Sequence, residues 1–417
     1  MKLIFNLFFG FNLFIMTISP QKINFPLMSD SAQAVLLTEL KEKINSNLLL
    51  ELSDSTEFYW LDAFWAAQFI LDKSDFVVNS IRKALIYSKS CSNNEFIRGT
   101  LQAAYTLSPV SFETEIGDLL TLPLNSKNFA IAINYLSRIK GFTKYSALAE
   151  DKAKEFQDDA ILIALLNNIK NSKQDLSVNE IIDLLLLDPG DVQVLIYSFQ
   201  RFNRNYPGIT LIKYGKTGFV YNEQDELFYI NQLARSITNL PGYLTNGNTP
   251  QGLFFVEDTY MSDNRFIGPS ERIRLFLPYE SGSKKFLNNL PEYNNDFDKF
   301  YTEFLPNSLK DNVFLYESLL AGKAGRDFIV IHGNTVNPGY YRSELYYPNI
   351  PTLGCVSSFE SWDMDGNLSY SDQQKLLNEY KKLGKPTGYF LLVEINGKEE
   401  PVSIEEIQPL IQSLNIK

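Results

Sequence analysis

His332 is the only histidine in the chain and Cys355 is one of only two cysteines. Both lie in the stretch IVIHGNTVNPGYYRSELYYPNIPTLGCVSS, which begins at Ile329, and each sits beside a glycine, Gly333 or Gly354. Together these two residue types support nucleophilic catalysis. A cysteine at its reference pKa near 8.5 is only about 3 % thiolate at pH 7. A nearby imidazole can take the thiol proton and later return it to a leaving amine. The bland alternative is a buried small hydrophobe at Cys355 and a hydrogen-bonded strand-end histidine. His332 closes the apolar run DFIVI, and a strand end delivers a side chain to the loops where sites are built. Gly354 allows close backbone approach to the sulfur or to its substrate.

Metal chemistry is harder to build from these residues. Two thiols and one histidine are too few for a Cys/His zinc site without several carboxylates. The stretch SWDMDGNLSYSD puts Ser361, Asp363, Asp365, Ser369 and Asp372 at calcium-loop spacing around Gly366. It lacks the acidic first residue and the final glutamate. An Asp-Gly turn leading into a helix capped by Ser371 explains it more simply. Neither a metal nor a cofactor is expected. Cys91 and Cys355 fall in different expected domains, whereas a disulfide framework uses more cysteines placed closer together.

The elements that must position the pair differ between the two halves of the chain. From about 29 to 205 the period is helical. SDFVVNSIRKALIYSK spaces Val78, Ile81 and Leu85 three and four apart behind a Ser74 cap, and SVNEIIDLLLLDPG opens on a Ser177/Glu180 capping box. Further helices are expected around 60–72, 127–139, 155–170 and 191–204, arranged as stacked helical hairpins or an ordinary bundle. The aromatic residues Phe58, Tyr59, Trp60, Phe64 and Trp65 read as core. After Tyr206-Pro207-Gly208 the pattern alternates. GITLIKYGKTGFVYNEQDELFYI, QGLFFVED, ERIRLFLPYE, RDFIVIHG and PTGYFLLVEING read as strands. Helical pieces are expected near 228–238, 311–321 and 371–383. The fold class is α+β and multidomain: an all-α helical-hairpin domain over 29–205 and a strand-rich domain over 206–417.

TPQGLF, from Thr249 to Phe254, adds a third motif, and with it the chain resembles the L,D-transpeptidase catalytic domain over roughly residues 208–395. That family carries T-P-x-G-x-[FY], then H-G at a strand end, then [ST]-x-G-C, in the order found here. Leu353 stands where many members have histidine, and Ser357 where they have arginine. The loop between His332 and Cys355 is longer than usual. The resemblance implies a cysteine acyltransferase acting on peptidoglycan stem peptides, with Cys355 as nucleophile and His332 as general base and acid. Gly354, Thr352 and Gly333 are then the candidates for oxyanion stabilisation and orientation. Arg342, Tyr340, Tyr341 and Thr249 are the candidates for substrate contact, and the tyrosine-rich loop is either a lid over the substrate or an ordinarily packed loop. The same site could serve a carboxypeptidase or crosslink-cleaving hydrolase, or stand degenerate in a wall-binding scaffold.

The bulk properties bound the setting. A net charge of −11 argues against a nucleic-acid partner, which needs a basic face. MKLIFNLFFGFNLFIMTISPQ, with Lys2 ahead of an apolar run, reads over residues 1–20 as a signal peptide or N-terminal anchor. Periplasmic or cell-envelope localisation follows, with membrane contact only through that segment. The helical half leaves room for a protein partner.

Overall fold

The computed structural model describes residues 23–188, 193–215, 218–280, 286–287, 293 and 296–414. The expected export segment lies outside them. Eight helices form the first layer: α1 (Asp30–Asn47), α2 (Glu57–Phe69), α3 (Asp75–Tyr87), α4 (Asn94–Leu107), α5 (Glu113–Leu119), α6 (Ser126–Lys140), α7 (Ser146–Glu155) and α8 (Ala160–Lys170). They pair as four successive hairpins. α2, α4, α6 and α8 pack on one another in a row, while α3, α5 and α7 each back the helix that follows. Side-chain caps fix several starts: Ser74 accepts the Val77 N–H and Asn93 accepts the Glu95 and Phe96 N–H groups. A ninth helix, α9 (Val178–Leu185), opens on the Ser177/Glu180 capping box.

The remainder alternates strands and helices: β1 (Val194–Arg201), β2 (Gly208–Tyr214), β3 (Gly218–Phe219), β4 (Tyr229–Leu233), β5 (Gly252–Tyr260), β6 (Arg272–Phe276), α10 (Phe297–Phe304), α11 (Glu317–Lys323), β7 (Ile329–His332), β8 (Val356–Ser358), β9 (Glu360–Trp362), β10 (Leu368–Ser371), α12 (Asp372–Lys382), β11 (Gly388–Asn396) and α13 (Ile404–Ser413). Eight strands run in the order β1-β11-β5-β6-β7-β8-β4-β2, and β2 pairs back onto β1 to close a barrel. Only β1–β11 and β7–β8 are parallel pairs in this ring. One face of the strands buries Ile196, Phe254, Ile273, Ile331, Val356 and Phe390 together with Leu376 and Tyr380 of α12. On β1, β2, β5 and β11 the opposite face packs against α9, α10 and α13.

Two local expectations are corrected. Residues 191–204 contain strand β1, not a helix, and every residue of Val194–Arg201 is buried. With both faces covered, the apolar Val194–Tyr197 is continuous and the polar Ser198, Gln200 and Arg201 are buried too, so no inside–outside alternation marks the strand. Tyr229–Leu233, within the expected 228–238 helix, is also a strand, paired with β2 and β8. The boundary near 205 therefore falls between two paired strands of one barrel. The halves also share a core. Leu101, Ile133 and Leu165 of the helices bury together with Leu240, Tyr243, Leu320, Tyr341, Tyr346 and Ile350 of the second half. The SWDMDGNLSYSD segment is the β9–β10 hairpin. Its Asp363 carboxylate accepts from the Asp365 and Asn367 N–H groups, and Ser371 caps α12.

Candidate active site

β7 and β8 run side by side and parallel, with Ile331 opposite Val356 and His332 opposite Ser357. Ile331 and Val356 point into the barrel core. Strand alternation therefore puts His332, and Cys355 just before β8, on the other face, towards the helices. A parallel pair needs a crossover that returns the chain to the same end of the sheet. The long His332–Cys355 connection is that crossover.

Both residues line one pocket of about 310 Å3, which also takes in Val330, Asn334, Thr352, Leu353, Phe328 and Arg272. Its apolar wall comes from both halves: Trp65 and Phe69 of α2 join Phe266, with ring centroids 5.2 Å apart for Trp65–Phe69 and 4.9 Å for Phe69–Phe266. Of the five aromatics read as core, Trp60 and Phe64 are buried, Trp65 lines this pocket, and Phe58 and Tyr59 are exposed.

The imidazole is buried, and its Nδ1 is hydrogen-bonded to the Gly333 carbonyl. A carbonyl only accepts, so Nδ1 carries the proton and Nε2 keeps its lone pair. Burial pushes the His332 pKa down to about 4, the Gly333 carbonyl pulls it up less, and Arg272 pushes it down further. The ring is neutral at pH 7. Cys355 is half-buried by surface but crowded around its sulfur, and burial raises its pKa; the Val330 N–H, Arg326, Arg274 and Arg272 favour the thiolate. At rest the thiol donates to the Phe328 carbonyl at 3.8 Å rather than to the ring. Cys91 is a different thiol. Burial and a 3.1 Å bond to Glu57 push its pKa up to about 11.

Each flanking glycine makes room for a buried charged group. A Cβ on Gly333 would collide with the Glu360 carboxyl, and one on Gly354 with the Arg326 guanidinium. Gly354 also has φ +122°, outside the range comfortable for other residues. Arg326 reaches the carbonyls of Gly242, Gly247 and Asn248, tying that loop beneath the cysteine. Neither Glu360 nor Arg326 has a motif of its own. The only signal in the sequence was the glycine beside His332 and beside Cys355.

The motif residues converge, though not in every expected role. Thr249 and Thr352 both donate to the Cys355 carbonyl, at 3.1 and 2.9 Å. Thr352 also accepts the Gly354 N–H at 2.9 Å. Both threonines hold the Cys355 backbone, and Thr249 is fully buried, out of reach of a substrate. The Gly354 N–H is occupied and cannot serve an oxyanion. Gly252 of TPQGLF, at φ +113°, lies against the Tyr301 hydroxyl and the Leu315 carbonyl, so it is a packing glycine.

No protein-family model, curated protein or solved structure matches this chain.

The tyrosine-rich loop takes the second of its two expected roles, packing as an anchor and not closing as a lid. Tyr341 is fully buried and donates to the Phe69 carbonyl at 2.7 Å, Tyr340 packs edge-on against Phe69, and Tyr346 stacks under Arg235. Glu344 pairs with Lys73 at 3.2 Å. These contacts fasten the crossover to the helices. Arg342 is exposed and does not line the pocket. Of the two arginines on β6, Arg274 is bound by Glu280 and the Ile329 carbonyl. Arg272 lines the pocket over the Tyr260 ring at 4.3 Å, and its Nε has no hydrogen-bond partner.

Proposed function

We propose that this chain is a cysteine acyltransferase of the L,D-transpeptidase type, acting on peptidoglycan stem peptides outside the cytoplasm. One observation carries the reading: a thiol and an imidazole with a free Nε2 share a face of neighbouring strands and open into one pocket. The hydrogen bond from Thr249 of TPQGLF to the Cys355 backbone, behind the pocket that His332 and TLGC line, supports the choice of family.

In this mechanism Cys355 turns from the Phe328 carbonyl towards Nε2 and attacks the carbonyl carbon preceding the terminal D-amino acid. The thiol proton passes to His332. The Val330 N–H, Arg326 and Arg272 stabilise the charge that develops on sulfur before the C–S bond forms. With the Gly354 N–H occupied, the Cys355 N–H is the amide of this turn left to stabilise the oxyanion. Collapse returns the proton to the leaving amine and leaves a thioester. An amine or water then attacks it, with His332 again as base. Arg272 takes the substrate carboxylate, in place of Arg342.

A second reading, release of the thioester to water, is favoured by the anchoring of the tyrosine-rich crossover on α2. An anchored crossover cannot close as a shield against water. Incubating the protein with a tetrapeptide muropeptide, with and without a second stem, and weighing the products tests both. Crosslinked product from wild type but not from Cys355→Ala supports transfer, and tripeptide alone supports hydrolysis. Turnover by Cys355→Ala, or none by folded wild type, removes the proposal.

A further inference from the structure

Glu360, at the start of β9, is buried beneath the His332–Gly333 turn with no cation among the described residues paired to it. Its Oε1 accepts from the Ser270 hydroxyl at 2.7 Å and the Ser371 hydroxyl at 2.8 Å. Its Oε2 accepts the Asn334 N–H at 3.0 Å. The groups facing it from every packed element are thus two hydroxyls, one amide and the backbone of Gly268 and Gly333. None of these is a charged side chain. A carboxyl placed only to fill space here is costly, because an apolar residue of similar volume would avoid its desolvation.

The Asn334 N–H belongs to the same peptide unit as the Gly333 carbonyl, and that carbonyl holds His332 Nδ1. A negative charge at Glu360 pulls on the N–H end of this peptide and makes its oxygen a stronger acceptor. A stronger acceptor at Nδ1 makes Nε2 more basic and fixes the ring. We infer that Glu360 is a positioning residue: through one peptide unit it sets the orientation and basicity of His332. This rests on the reading of His332 as the base for Cys355. Glu360 itself touches neither the sulfur nor a substrate. Burial raises its carboxyl to about 7, against the pull of Ser270, Ser371 and Asn334, so its charge changes near neutral pH.

The test measures alkylation of Cys355 by iodoacetamide against pH in a Cys91→Ser background, which needs no peptidoglycan substrate. Glu360→Gln keeps the shape and removes the charge. It is expected to slow alkylation above neutral pH by about fivefold, the response to a base weakened by roughly one pKa unit, and to erase an inflection near pH 7. Ser270→Ala keeps the carboxyl but deletes one donor, and is expected to move that inflection to higher pH. It decides the matter if Glu360→Gln fails to fold. Glu360→Asp should restore part of the inflection. If His332→Gln is slow while Glu360→Gln and Ser270→Ala both superimpose on wild type, Glu360 is structural only and the inference is wrong. If His332→Gln also superimposes on wild type, the base assignment fails first and the inference falls with it.

Discussion

Acidifying the protein from about pH 6.5 to about pH 5 acts on two buried groups in opposite directions. His332 has its folded-state pKa depressed to about 4 from 6.5. Its contribution to stability is present above 6.5 and is lost as pH falls towards 4, because the unfolded chain binds the proton first. Glu360 has its folded-state pKa raised to about 7 from 4.5. Its contribution is fully present below 4.5 and is lost as pH rises through 7. Between those limits each slope approaches about 1.4 kcal/mol per pH unit, so each group changes stability by about 2 kcal/mol over the interval. Both side chains are almost fully buried, so screening by solvent takes little from either figure. The two nearly cancel in wild type, and each single variant exposes the slope of the other group. His332→Gln should gain about 2 kcal/mol on acidification, and Glu360→Gln should lose about 2 kcal/mol. The assay is urea unfolding at the two pH values, read as the shift in midpoint at constant slope. Parallel pH dependence in wild type and both variants would falsify the assignment of these burial-driven shifts.

Three further outcomes follow from the packing. Gly354→Ala must carry an L residue at φ +122° and drive a Cβ into Arg326, so thermal unfolding should show a loss above about 2 kcal/mol; an unchanged midpoint contradicts this. Tyr341→Phe deletes the donor to the Phe69 carbonyl and should cost about 1–2 kcal/mol in urea unfolding, with slower substrate turnover if the crossover positions the pair. A 206–417 fragment lacks β1, which pairs with both β11 and β2, and lacks the Trp65–Phe69 wall. It should be insoluble or show no cooperative unfolding by circular dichroism, and a folded monomer with wild-type Cys355 labelling rules out the shared core.

Much of the helical half was legible because its signals are local. Ser74, Ser177 and Ser371 all cap helices where the sequence put them. Strands such as QGLFFVED and PTGYFLLVEING carry enough β-branched and aromatic residues to declare themselves. VLIYSFQR did not, because burial on both faces removes the alternation that separates a strand from a buried helix. His332 and Cys355 were legible through scarcity: one histidine and two thiols leave few combinations to weigh. Arg326, Glu360 and the α2 wall were hidden because each reaches the pocket through tertiary packing from another part of the chain. The tyrosines at 340, 341 and 346 left two readings open, since a cluster of aromatics in a long loop looks the same whether it closes over a substrate or binds to a neighbouring helix.

The wall that α2 adds to the pocket ties the surroundings of Cys355 to the union of the two halves. During synthesis Trp65 and Phe69 emerge long before His332 and Cys355, and the barrel cannot close until β11 has followed them. Pairing of β7 with β8 sets Cys355 near His332 and the Val330 amide, and docking of α2 adds the apolar wall. In a Cys91→Ser background the alkylation rate of this one sulfur is therefore a clock for maturation, timing the union of the two halves.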